Sequence, residues 1–91
     1  MSETFKNIWE ALEEDPAERE TMKIKSKMMM EIAQHIESIG ITQAQSAKLM
    51  GVSQPRVSEL INGKIDRFTI DMLVTMLARL GLHVEVSMKA A

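Results

Sequence analysis

Ninety-one residues with 11 basic and 13 acidic side chains, a net charge of −2, provide for one small domain with a modest core. A hydrophobic fraction of 45% excludes general disorder, and no apolar run approaches the ~20 residues that span a bilayer. The absence of cysteine excludes disulfides and thiolate metal sites and fits the expected cytoplasmic location.

The charge is divided unevenly along the chain. Residues 1–20 hold seven acids against Lys6 and Arg19, a charge of −5, whereas residues 21–91 hold six acids against nine bases, a charge of +3. The basic part is compatible with attraction to phosphates without establishing it. The first residues are polar and soon acidic, so no signal peptide is expected. Nine methionines suit either flexible core filling or an adaptable partner surface.

Residues 1–15 form an acidic amphipathic segment in which Phe5, Ile8, Trp9 and Leu12 recur at helical spacing over 3–14. Such a stripe either packs on its own domain or offers an apolar face to a partner protein. Asp15-Pro16-Ala17-Glu18 then combines an N-cap, a proline at the first helical position and an early acid, the start of a new helix. That helix is predicted from Pro16 to Ser38, ending at Gly40, with Met22, Met29, Ile32, Ala33, Ile36 and Ile39 on its apolar side. Its roughly 23 residues exceed the usual helix length, so its first two turns are expected to project beyond the core. Lys23, Lys25 and Lys27 on it are either a solvated face or within reach of a phosphate backbone.

Thr42 and Gln45 have the spacing of a capping box and open a short helix with Ala44, Ala47, Leu49 and Met50 as its apolar side. Gly51 closes it, since glycine takes the left-handed conformation at little cost. Ser53 caps a second helix that tolerates Pro55 in its first turn, where the amide hydrogen has no helical partner. Val57, Leu60 and Ile61 are predicted to face inward and Gln54, Arg56, Ser58 and Glu59 outward, with Asn62-Gly63 ending the helix. Two short helices joined at a glycine, the second with a polar leading edge, form a helix-turn-helix, which lays its second helix in a major groove.

Residues 64–68 are expected to be a loop with two bases, Lys64 and Arg67. Thr69 caps a last helix, with Asp71 in its first turn, Ile70, Leu73, Val74, Leu77 and Leu80 buried, and Gly81 at its end. From Leu82 to Lys89 the pattern changes to strict alternation, with Leu82, Val84, Val86 and Met88 on one side. That is the pattern of a strand, and a lone strand needs a partner for its backbone groups. The simplest partner is the same strand of a second copy, which predicts a homodimer built partly on residues 82–91.

The run Gln43-x3-Ala47-x3-Gly51-Val52-Ser53-Gln54-x2-Val57-Ser58-x-Leu60-x2-Gly63 resembles the helix-turn-helix of the Xre/Cro–phage repressor family over about 22 residues. The chain therefore has four to five predicted helices, and the resemblance implies a mainly α, lambda-repressor-like bundle with the DNA-binding domain at residues 16–81. It also implies a transcriptional regulator, in the first instance a repressor, that binds double-stranded DNA as a dimer on a palindromic operator. In the resembling repressors a glutamine at the place of Gln54 commonly reads a base, and its amide suits adenine N6 and N7. Pro55 departs from the commoner polar residue there, which removes contacts expected from that position.

The base-contacting candidates are therefore Gln54, Arg56, Ser58 and Glu59, with Arg56 also suited to guanine or to a phosphate. Gln43, Ser53, Asn62, Lys64 and Arg67 flank the reading helix and are the phosphate-contacting candidates. Each has a plainer role open to it: Ser53 caps, Gln43 caps or bonds Gln54, and Asn62 ends a helix. No nucleophile, glycine-rich phosphate loop or metal-ligand pattern accompanies these residues, and His35 and His83 are far apart in sequence, so neither enzyme nor cofactor is expected. The short chain also resembles the HigA-type antitoxins, which bind their own operator and neutralise a RelE-like toxin. The acidic segment 1–20 would suit such a small basic toxin.

Overall fold

The computed structural model describes residues 15–90. The amphipathic segment expected over 3–14 lies outside the described residues. Among the described residues four α-helices follow one another: α1 (Pro16–Ile39), α2 (Gln43–Met50), α3 (Gln54–Ile61) and α4 (Ile70–Arg79), with a 3-10 turn at Ile65–Arg67 between α3 and α4. The mainly helical architecture is as expected.

Each helix begins where the sequence supplies a cap. The Asp15 carboxylate accepts from the backbone N–H of Ala17 at 3.0 Å and of Glu18 at 3.4 Å, ahead of Pro16. The Thr42 hydroxyl accepts from Gln45 N–H at 3.1 Å while Thr42 N–H donates to Gln45 Oε1 at 2.8 Å, a complete capping box. Ser53 and Thr69 accept from Arg56 N–H at 3.2 Å and Met72 N–H at 3.1 Å. Such caps contribute about 1 kcal/mol each, a useful fraction of the total in a domain this small.

The core gathers Met28, Met29, Ile32 and Ile36 of α1, Ala47 and Met50 of α2, Val57 and Leu60 of α3, Phe68, and Leu73, Met76 and Leu77 of α4. α1 lies mainly against α4, while α2 packs on both α3 and α4. All four buried side chains of α1 fall between Met28 and Ile36, so its first three turns add none. The expected projection is therefore longer than two turns.

Several apolar positions differ from expectation. Ile39, Leu49, Ile61 and Val74 are 41–49% exposed, and Ala44 is also exposed. Ile70 and Leu80 are half-buried, whereas Met28 and Met76, not counted on either stripe, are buried. The four exposed residues sit at the rim of their apolar stripes, where periodicity does not say which neighbouring element will cover them.

Phe68 is the larger correction. The stretch expected to be a basic loop ends in one of the innermost side chains of the fold, 1% exposed. Phe68 immediately precedes the Thr69 cap, and Leu73, likewise buried, is the fourth residue of the helix, the two positions of a hydrophobic staple. Val52 and Val57 hold the same positions about Ser53, with Val57 in the core and Val52, half-buried, packed against it.

Residues 82–90 belong to no helix or strand in the described chain. A strand is defined by its ladder to a neighbour, and the chain provides no other strand among the described residues. Within the four residues expected to pair across a dimer, Leu82 separates from the rest: it is half-buried, packs on the core of its own chain and donates its N–H to Leu77 O at 3.0 Å. Val84, Val86 and Met88 are 39%, 74% and 89% exposed.

Candidate nucleic-acid interface

The turn between α2 and α3 is fixed from three directions. Gly51 ends α2 at φ 70°, with its N–H directed at Ala47 O and Lys48 O, and Val52 N–H reaches Ala47 O at 3.0 Å. Ser46, fully buried on α2, donates its hydroxyl to Thr42 O at 2.7 Å. From the far side, Arg79 at the end of α4 donates a guanidinium N–H to Met50 O at 3.1 Å. A Cβ at position 51 would lie 1.8 Å from Arg79 Nη1, so glycine there serves both the backbone conformation and the guanidinium beside it. Met50 O is one of the carbonyls a helix end leaves without an intrahelical donor, and a cation at that end also suits the helix dipole.

This frame presents α3 with Gln54 exposed at its N-terminal end. No intrachain hydrogen bond among the described residues engages the Gln54 amide; the bond to Gln43 considered from sequence is not formed. Gln43, Ser53, Asn62, Lys64 and Arg67 are all exposed, as phosphate contacts must be. Asn62 and Ser53 also have local duties, since Asn62 Nδ2 donates to Ser58 O at 2.9 Å and Ser53 caps α3.

Arg56, Ser58 and Glu59 are only half-exposed. Arg56 Nη1 is 3.3 Å from Glu59 Oε1 and donates to Arg67 O at 3.0 Å, and its guanidinium carbon lies 5.5 Å from the centre of the Phe68 ring. The second oxygen of Glu59 is 3.6 Å from Arg67 Nη1. The expected outward row along α3 is thus split: Gln54 points into solvent, while Arg56 and Glu59 are joined to each other and to the segment after the helix. Ser58 Oγ accepts from Asn62 Nδ2 at 3.3 Å.

Comparison with known proteins agrees with this geometry. A family model described as a helix-turn-helix domain matches residues 11–89. The chain belongs to the helix-turn-helix domain family. A solved chain named as an XRE-family transcriptional regulator superposes with a TM-score of 0.76 at 28% identity, covering 81% of this chain and 83% of that one. No curated protein matches. The family match extends beyond the 22-residue motif to α1, α4 and most of the C-terminal segment, so the helix-turn-helix domain accounts for nearly all of the described chain. No described helix is long and apolar enough to cross a membrane.

Two parts of this helix-turn-helix domain escaped the sequence reading. Arg79 belongs to no motif in the sequence, and its carbonyl partner lies 29 residues earlier, beyond the reach of any local pattern. Phe68 did have a local signal, its place one residue before a cap.

Proposed function

We propose that this chain is a sequence-specific DNA-binding transcriptional regulator of the Xre type, reading a palindromic operator as a homodimer and acting as a repressor. The observation that carries the reading is the braced α2–Gly51–α3 unit, with the free Gln54 amide at the leading end of α3 and exposed Lys64 and Arg67 just beyond it. The likeness to an XRE-family regulator supports it. Gln54 is the principal base reader, with Ser58 beside it. Lys64, Arg67, Gln43, Ser53 and Asn62 supply phosphate contacts that fix register. Arg56 and Glu59 act first on each other, which limits their part in base reading. No catalytic step and no cofactor enter the mechanism.

The dimer is supported by the exposed alternation of Val84, Val86 and Met88, which a copy of the same segment would cover by antiparallel pairing. Two α3 helices then meet successive major grooves about 34 Å apart.

Selection of bound fragments from a random duplex pool tests this directly. A palindromic consensus is expected, on which Gln54→Ala costs about 1–3 kcal/mol while random DNA is bound as before. Equal losses on both would refute the base-reading role, and no enrichment would refute the regulator. The acidic residues 1–20, at −5, favour a second reading as an antitoxin that also binds a small basic RelE-like toxin. Co-purification with the product of an adjacent small basic reading frame decides between the two.

A further inference from the structure

Glu59 stands out on the proposed interface because it is an acid where phosphates must approach. Its two carboxylate oxygens are divided between two arginines, Oε1 to Arg56 at 3.3 Å and Oε2 to Arg67 at 3.6 Å. The two partners are held very differently. Arg56 has two further anchors, the Arg67 carbonyl at 3.0 Å and the face of Phe68 at 5.5 Å, and its side chain is 35% exposed. Arg67 has Glu59 as its only side-chain partner among the described residues, at a separation longer than a good N–H···O bond, and its side chain is 62% exposed.

We infer that Glu59 is an internal competitor of DNA phosphate that withholds Arg67 from loosely docked duplex and releases it only when a phosphate is placed close enough to displace the carboxylate. The inference rests on the DNA-binding reading above and adds a specificity-determining role to a residue first counted as a base contact. The chemistry is an exchange between two anions. A carboxylate and a phosphate both accept from a guanidinium, and the phosphate belongs to the duplex, so the exchange converts an internal ion pair into a binding contact. Random duplex is held by mobile, salt-dependent contacts that do not fix any one phosphate. An operator docked through Gln54 does fix them, so Arg67 is gained there and not elsewhere. Arg56 does not take part, because it would give up the Arg67 carbonyl and the Phe68 ring as well as the carboxylate.

Glu59→Gln keeps the shape of the side chain and removes its charge. Affinity for random duplex is expected to rise about 1.5- to fivefold, the range for an exposed ion pair, with a smaller rise on the selected operator. The salt dependence on random duplex steepens by about 0.9, one more phosphate contact. Repeating the exchange in an Arg67→Gln background identifies the released group: there the gain falls by at least half and the slope no longer changes. A full gain in that background would overturn the inference, since long-range charge would then explain it. Loss of operator binding with random duplex unaffected would also overturn it, and would make Glu59 a base reader. Arg67→Gln alone provides a check independent of how Glu59→Gln folds, with a greater loss on operator than on random duplex; equal losses refute the exchange. If the unaltered protein enriches no sequence from a random pool, the DNA-binding reading has failed and this one falls with it.

Discussion

Replacing Gly51 by alanine makes two demands on the structure that can be separated. At φ 70° an L-residue is in the left-handed region, which costs about 1–2 kcal/mol. The new Cβ would also lie 1.8 Å from Arg79 Nη1, and because that atom ends a flexible side chain, relief comes from displacing the guanidinium and not from moving backbone. What is then lost is the bond to Met50 O at 3.1 Å. A charged donor on a neutral acceptor contributes about 1.5–3 kcal/mol when well buried, and about 1 kcal/mol is appropriate for the exposed Arg79. Gly40 isolates the first cost, since it has φ 71° and nothing within 4 Å of an added Cβ. Gly51→Ala should therefore exceed Gly40→Ala by about 1 kcal/mol, roughly 4–8 °C in melting temperature for a domain of this size. Thermal melts followed by circular dichroism at 222 nm measure both. In an Arg79→Met background the difference should vanish. Equal costs in the unaltered background, or a difference that survives Arg79→Met, would refute the bracing role of Arg79.

Phe68→Ala should lower stability by about 3–5 kcal/mol as expected for a large buried aromatic, most of what a small domain has, and urea unfolding gives the value; a loss under 1 kcal/mol would remove Phe68 from the core. Lys64→Ala should weaken binding to operator and random duplex alike and reduce the salt slope by roughly 1, which titrations across a salt series test. A chain ended at Gly81 should sediment as a monomer while keeping the helical spectrum of the intact protein. A dimer at the same concentration would place the interface elsewhere than residues 82–91.

The helix boundaries were legible because the chain marks them with local chemistry. Asp15-Pro16, the Thr42–Gln45 box, Ser53 and Thr69 all act within three residues of themselves, and the terminating glycines Gly40 and Gly51 within four. The exposure of Gln54 followed from the same logic. What was not legible depends on which elements lie side by side. Leu49, Ile61 and Val74 have the spacing of buried residues and are exposed because no described element covers that edge of their helices. Arg56 has the sequence character of a free base reader, and its diversion toward Glu59, Phe68 and Arg67 O requires the 3-10 turn to fold back beside α3, which no periodicity announces. The pairing proposed for residues 82–90 would be a property of two chains, which no pattern within one chain displays.

The distribution of buried side chains along α1 also bears on how the protein melts. Twelve residues, Pro16–Lys27, form half of this helix without one fully buried side chain. A peptide of that length is a marginal helix in water, since nucleation is costly and each added residue contributes little. This half therefore persists by propagation from the anchored turns at Met28–Met29, and from its other end the Asp15 cap opposes fraying. Helical signal should drain gradually from residues 16–27 on warming, before the cooperative loss of the core, and amide hydrogens should exchange along α1 in a gradient that rises toward Ile32 in protection. A single carboxylate outside the core thus secures the far end of a segment three turns long, whose near end the core holds.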